Sequence, residues 1–202
     1  MTLDERDPIV MADTGPLIRL AAAGLLDGLR TTNRRVVIVD RVEAEATQDR
    51  SKPFAKEIAA WIERNADSIE RTRTVIGLGI EKLQSDAHTS EGQQLLATSL
   101  PRSSERAMRD FLEDWLPGTP SALVVYEDGN VPFALQSTRV RLILMTTRRF
   151  ARQLVEWGST TDAVAAVEEI AKTFATKGSF LGEIDPDESA DLRRLPQLDG
   201  AA

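Results

Sequence analysis

Five acidic residues are spaced along this chain so that several of them could meet and hold a metal ion. Asp13 directly follows the apolar run Ile9-Val10-Met11-Ala12, which predicts a buried strand that presents a carboxylate at its C-terminal tip. Ligands of open α/β sheets bind at that edge, and clustered carboxylates repel one another unless a cation neutralises them. We therefore expect a divalent-metal site built from Asp13 together with Glu45, Glu105, Glu127 and Asp128.

The composition limits which metal such a site could hold. The chain has no cysteine and a single histidine, His88, so neither a thiolate site nor a multi-histidine zinc site can form. Oxygen ligands remain, and these favour Mg²⁺ or Mn²⁺. The lack of cysteine also suits a cytoplasmic protein.

The charge balance narrows the range of partners. The 202 residues carry a net charge of −7, from 32 acidic and 25 basic side chains, so the chain does not coat nucleic acid through bulk charge. A local basic patch beside an acidic metal site would still permit a nuclease. No run of apolar residues is long enough to span a membrane, and the acidic N-terminus does not resemble a signal peptide.

The elements that must position these carboxylates alternate between strands and helices. Five mostly continuous apolar runs predict strands at 9–12, 35–39, 72–76, 122–126 and 140–145, and such runs are typical of parallel strands covered on both faces. Segments with helical spacing lie around them, at 17–29, 41–46, 53–64, 104–115, 148–157 and 161–175. We therefore expect a three-layer α/β/α sandwich with a mostly parallel sheet of about five strands.

The chain divides into a core and a C-terminal extension. Residues 8–158 form the predicted domain, within which 77–102 is either an insertion or a short helix. Residues 159–182 are predicted as a helical extension, and 183–202 as a disordered acidic tail.

Two of the candidate carboxylates can be explained equally well by a structural role that involves no metal. Asp13 could cap the helix that follows it, and Glu45 could belong to a solvated acidic helical turn. Val42 and Glu45 lie three residues apart and share a helix face, so Glu45 points toward the upper edge of the sheet if Val42 packs on it. For Asp40 and Glu43 the structural explanation is the better one.

Four short motifs containing the candidate acids follow one another along the chain. Met11-Ala12-Asp13-Thr14-Gly15-Pro16-Leu17-Ile18 is followed by Val36-Val37-Ile38-Val39-Asp40-Arg41-Val42-Glu43-Ala44-Glu45, and then by Ser103-Ser104-Glu105-Arg106-Ala107-Met108 and Tyr126-Glu127-Asp128. In this order they resemble a PIN domain, and the likeness covers roughly residues 8–158. The PIN family consists largely of metal-dependent ribonucleases and includes the toxins of type II toxin–antitoxin pairs.

The resemblance implies a site and a chemistry. Asp13, Glu45, Glu105 and Asp128 would be the catalytic metal ligands, with Glu127 as an alternative to Asp128 because the last strand runs into Thr146 and Arg148 without an acid. One or two Mg²⁺ or Mn²⁺ ions would support in-line cleavage of RNA, leaving a 5′-phosphate and a 3′-hydroxyl. Substrate-binding candidates near this edge are Thr14, Arg106, Arg148 and Arg149, although ordinary surface charge also explains each arginine.

The resemblance also suggests partners: an RNA substrate, an antitoxin protein and a second copy of the chain in a homodimer. The alternative is a catalytically silent PIN-like protein with a binding or regulatory role.

Overall fold

The sheet has five strands, all parallel. The computed structural model describes residues 8–114, 121–136, 138 and 140–175. Its strands are β1 (Ile9–Ala12), β2 (Arg35–Val39), β3 (Ile69–Thr72), β4 (Ala122–Tyr126) and β5 (Leu142–Thr146), in the order β3-β2-β1-β4-β5. Helices flank the sheet, so the predicted three-layer α/β/α class is confirmed.

Helices connect each strand to the next. They are α1 (Thr14–Ala22), α2 (Asp40–Thr47), α3 (Ala55–Arg64), α4 (Val75–Ser85), α5 (Ser90–Ser99), α6 (Ser103–Asp114), α7 (Asn130–Leu135), α8 (Thr147–Glu156) and α9 (Ala163–Ala175), with a 3-10 helix at Leu26–Thr32. α1 packs with α8 and α9, while α6 packs with α4 and α7. In the described part of the chain, no helix is both long and apolar enough to cross a membrane.

The strand order brings the functional candidates to one edge. β1 lies at the centre and pairs with β2 on one side and β4 on the other, with Ile9 opposite both Arg35 and Ala122. β1 and β4 are buried throughout, because their uninterrupted apolar residues pack on both faces of the sheet. The residues that follow β1, β2 and β4 therefore all emerge at the same carboxyl edge.

The third strand was predicted in the wrong place. It covers Ile69–Thr72 rather than 72–76, because it is an edge strand whose charged residues pair with neighbouring elements instead of forming an apolar run. Glu70 binds Arg35 at 2.9 Å, and Arg71 donates to Glu43 at 2.9 Å. The apolar pair at Val75 and Ile76 opens α4, where the side chain of Thr74 caps the helix.

Residues 77–102, predicted as an insertion or a short helix, contain most of α4 and all of α5. Thr74 and Thr89 accept hydrogen bonds from the backbone N–H groups of Gly77 and Gly92, so each helix begins at a hydroxyl cap. Weak apolar periodicity hid both helices, since each buries only a narrow face.

Several other helices and strands begin or end a few residues from their predicted bounds. The helix predicted at 17–29 begins at Thr14 and ends at Ala22. Gly24, with φ +69°, separates it from the 3-10 helix. The fifth strand begins at Leu142, and α3 begins at Ala55, after rather than at Pro53. Ala163 and Val167 of α9 are buried in the same core as the sheet. The predicted tail at 183–202 lies outside the described residues.

Candidate active site

Asp13 stands at the junction of β1 and α1. Its backbone N–H donates to Val125 O at 3.0 Å, which fixes the end of β1 against β4. The carboxylate does not cap α1, although the Thr14 N–H lies close enough to favour its ionised form. The capping explanation therefore does not account for this side chain.

The four predicted ligands line one cavity at the carboxyl edge of the sheet. Asp13 follows β1, Glu45 lies on α2, Glu105 lies in the first turn of α6, and Asp128 follows β4. Val42 is buried against the core, so the three-residue spacing turns Glu45 toward this cavity. The cavity measures about 1280 Å³. It exceeds the typical small-molecule site of about 300–1,000 Å³, so it has room for an extended substrate.

Burial sets two of the carboxylates apart. Asp13 is 8% exposed and Glu105 is 9% exposed, whereas Glu45 and Asp128 are accessible to solvent. Burial raises the pKa of Asp13 to about 7; the Thr14 N–H opposes this effect, and the negative charges of Glu105, Glu45 and Asp128 add to it. The four side chains thus share one negative field, which a bound cation would relieve.

The pKa of Glu105 is also raised, again chiefly by burial. Its own backbone N–H opposes the rise, the charges of Asp128 and Glu45 add to it, and Arg102 opposes it. Arg102 itself lies in the turn before α6 with φ +56°, an uncommon backbone conformation for a residue other than glycine.

Two serines connect the acidic cluster to the surrounding helices. Ser104 Oγ donates to the carboxylate of Glu45, and Ser103 Oγ accepts a hydrogen bond from Arg41 Nε at 3.2 Å. Both serines are buried at the start of α6, so α2 and α6 are joined beside Glu105. The orientation of Glu45 is fixed by this contact.

The two acids after β4, Glu127 and Asp128, differ in the neighbours that hold them. Glu127 is held by the buried Arg19, with an Nε–Oε1 distance of 2.8 Å and an Nη2–Oε2 hydrogen bond of 2.9 Å. Asp128 uses Oδ1 for the backbone and side-chain N–H groups of Asn130, at 2.8 and 2.7 Å. The geometry favours Asp128, because its other oxygen is not engaged by Asn130.

The donor set suits Mg²⁺ or Mn²⁺ in chemistry, but it is not a preformed cage. Across the described ranges, no three His, Asp or Glu side chains form a group that could hold one metal ion as they stand. Mg²⁺ commonly takes only one or two protein carboxylates and completes its shell with water. The residues therefore fit a hydrated ion better than a closed set of protein ligands.

Thr14, predicted to bind substrate, lies where that role is feasible. Its hydroxyl is buried beside Asp13 on the cavity wall, and Oγ1 has no hydrogen-bond partner among the described residues. A buried hydroxyl without a partner is unfavourable, so this group would gain from a hydrogen bond to a water or a phosphate oxygen that reached it.

The three predicted substrate-binding arginines do not line the cavity. Arg106 donates to Ser99 O at 3.3 Å on the exposed face of α6, and Arg148 pairs with Glu168 at 2.6 Å. Arg149 lies on α8, where its backbone N–H is capped by Thr146. They were predicted from their proximity in sequence to the sheet edge, which does not fix the direction of a long side chain.

Sequence reasoning missed the basic residues that do line the cavity: Arg41, Lys52 and Arg102. A signal was present for Arg41, because Arg41 and Glu45 are four residues apart on α2 and so share a face. Lys52 and Arg102 lie in turns, whose course the sequence did not reveal.

Comparison with known proteins adds no family. No protein-family model, curated protein or solved structure matches this chain. Membership of the PIN family therefore stays a prediction that rests on the sequence motifs and on a compatible fold.

Proposed function

We propose that this chain is a divalent-metal-dependent endoribonuclease of the PIN type. One observation carries the proposal: four carboxylates from separate segments, Asp13, Glu45, Glu105 and Asp128, line a single cavity at the carboxyl edge of the sheet. The raised pKa of Asp13, to about 7, supports a site that gains from a positive ion.

The residues of the chain divide the work of the proposed reaction. Asp13, Glu45, Glu105 and Asp128 would hold Mg²⁺ or Mn²⁺ through their carboxylates and through water. When bound, the ion would supply Lewis acidity toward water and the scissile phosphate. Asp13 would give up its proton on binding the ion, Ser104 would keep Glu45 oriented, and Thr14 would hydrogen-bond a substrate oxygen.

Cleavage of RNA tests the proposal directly. Wild-type protein should cleave a mixed-sequence RNA with Mn²⁺ or Mg²⁺, and EDTA should abolish cleavage. Asp13→Asn and Glu105→Gln should each reduce the rate at least about a hundredfold, since ion binding and charge stabilisation are worth several kcal/mol. The control is Asp67→Asn, an exposed carboxylate before β3 at the opposite end of the sheet, which should cleave as the wild type does.

A catalytically silent PIN-like binding protein is the second candidate. The absence of a ready three-ligand group among the described residues favours it. Calorimetric titration with Mn²⁺ separates the two functions: an ion that binds wild type but not Asp13→Asn, together with cleavage, supports the nuclease. Lack of both ion binding and cleavage would instead support the silent protein.

The proposed biological setting is that of a toxin restrained by an antitoxin, which rests on the resemblance alone. Induced expression of the wild-type chain should arrest growth of a bacterial host, whereas Asp13→Asn expressed at the same level should not. Equal growth with both proteins would argue against the toxin role without bearing on the nuclease chemistry.

A further inference from the structure

Arg41 is a buried cation that forms no ion pair with any acidic residue in the described part of the chain. It is the second residue of α2, and only 8% of its surface is exposed. It lines the cavity that the four carboxylates share, called the main cavity below. Among the described residues, its guanidinium makes a single hydrogen bond, from Nε to Ser103 Oγ at 3.2 Å, and no ion pair. The two terminal nitrogens are therefore free to bind an anion.

This arrangement is unusual because buried arginines are normally paired with carboxylates. Acidic residues are close in sequence, but none of them pairs with the guanidinium. Asp40 accepts from the backbone N–H of Arg41 at 2.8 Å, not from its side chain. Asp40 accepts from the backbone and hydroxyl of Thr74, both at 2.9 Å, and Glu43 pairs with Arg71. Glu45 accepts from Ser104. Among the residues that the structure describes, no carboxylate therefore forms an ion pair with Arg41.

Arg41 lies between two cavities and lines both of them. Arg41, Ala44 and Gln48 line the main cavity and also a second cavity of about 620 Å³, which reaches Arg50, the end of β3 and α4. These three residues recur at helical spacing, so one stripe of α2 forms the ridge between the cavities. A strand leaving the acidic site in this direction would cross α2 beside Arg41.

We infer that Arg41 binds a backbone phosphate of a single-stranded nucleic acid where the strand crosses α2, next to the phosphate held by the acidic site. The inference rests on the proposed nuclease function and adds a positioning residue to it. A guanidinium fork matches two phosphate oxygens, and such a contact fixes the path of the strand without reading its sequence.

The test measures binding separately from cleavage. The parent protein is the wild type, so its acidic cluster is intact. A fluorescently labelled RNA of about 12 nucleotides is titrated at several salt concentrations with Ca²⁺ in place of Mg²⁺, and the RNA is checked for cleavage after each titration. A DNA strand of the same sequence forms a second arm. The variants are Arg41→Gln, Arg41→Lys and the control Arg64→Gln, an exposed arginine on α3 that lines neither cavity.

A phosphate contact predicts a specific pattern. Arg41→Gln should weaken binding of both strands about tenfold and lower the slope of log affinity against log salt by about 0.7, the share of one phosphate. Arg41→Lys should keep the slope because it keeps the charge, and Arg64→Gln should match the parent. Arg41→Gln should also melt no lower than the parent, since it removes an unpaired buried charge.

Other binding results would count against a phosphate contact at Arg41. Unchanged affinity and slope in Arg41→Gln, or no binding by the parent protein, would overturn the inference. Weaker binding with an unchanged slope and a lower melting temperature would also overturn it, by giving Arg41 a structural role. If the binding pattern holds but the wild type cleaves no RNA, the nuclease proposal fails while the phosphate site stands.

Discussion

At the residue scale, burial of Asp13 links protein stability to pH. Its pKa is about 7 in the folded chain, against an ordinary value of 3.8, so between these values the folded state holds a proton that the unfolded state has lost. This stabilising contribution is complete below about pH 4 and is lost as pH rises through 7. In metal-free protein, the free energy of unfolding should therefore fall over this window, by up to about 4 kcal/mol from this group.

Urea unfolding in EDTA at a series of pH values measures this effect. Asp13→Asn should flatten the decline between pH 4 and 7 and should be more stable than wild type at pH 8. Glu105, whose pKa is also raised, contributes a decline of the same sign that should survive the substitution. Parallel pH profiles for wild type and Asp13→Asn would contradict the assignment of the buried carboxyl.

The neighbouring acids Glu127 and Asp128 should respond differently to substitution. Glu127→Gln weakens a buried ion pair with Arg19, so it should lower the free energy of unfolding by about 3 kcal/mol or more, while the folded fraction still cleaves RNA. Asp128→Asn retains the oxygen that accepts from Asn130, so it should leave stability nearly unchanged and reduce cleavage strongly. Denaturant unfolding beside cleavage rates measures both, and the reverse pattern would make Glu127 the ligand.

At the element scale, a glycine allows α4 to dock on α2. A Cβ built on Gly77 would lie 1.8 Å from Asp40 Oδ2, inside the carboxylate that binds the backbone and hydroxyl of Thr74. Gly77→Ala should therefore destabilise the protein by about 1–3 kcal/mol, because either Asp40 or the start of α4 must move.

Gly79 supplies a matched control on the same helix. A Cβ built there meets no atom within 4 Å, so Gly79→Ala should stabilise the protein by about 0.5–1 kcal/mol through helix propensity. The two variants should shift the urea midpoint in opposite directions. A shift of the same sign in both would show that helix propensity alone, rather than the contact with Asp40, governs this region.

At the scale of the whole molecule, a divalent ion should stabilise the fold by binding only the folded state. At about a hundred times its dissociation constant, an ion adds about 2.7 kcal/mol, which for a chain of this size raises the melting temperature by roughly 5–10 °C. The gain should be larger at pH 8 than at pH 6, because protons compete for Asp13. Thermal unfolding with and without Mn²⁺ measures it.

Variants give this measurement its controls. Asp13→Asn and Glu105→Gln should remove most of the Mn²⁺ effect, and Asp67→Asn should retain it. An equal rise in all four proteins would mean that the ion binds elsewhere on this acidic chain, and no rise in the wild type would favour the silent binding protein.

The sequence by itself determined the central part of the fold. The apolar runs of β1, β2 and β4 predict strands buried on both faces, and the alternation with helices predicts a parallel sheet, because parallel strands need crossover connections. Because parallel strands end at the same edge of a sheet, Asp13 after β1 and the acids after β4 are expected at one edge. Local patterning is sufficient for these elements because burial on both faces leaves a strong one-dimensional signal.

Only the tertiary structure decided which side chains turn toward the cavity and which are used by the fold. Glu127 is taken by Arg19, 108 residues away in sequence, and Asp40 is taken by Thr74, 34 residues away. Arg148 pairs with Glu168, while Arg41, overlooked in the sequence, faces the cavity without a carboxylate partner among the described residues. Spacing along the chain fixes the direction of a helix face, but the pairing of long charged side chains depends on neighbours brought together only by folding.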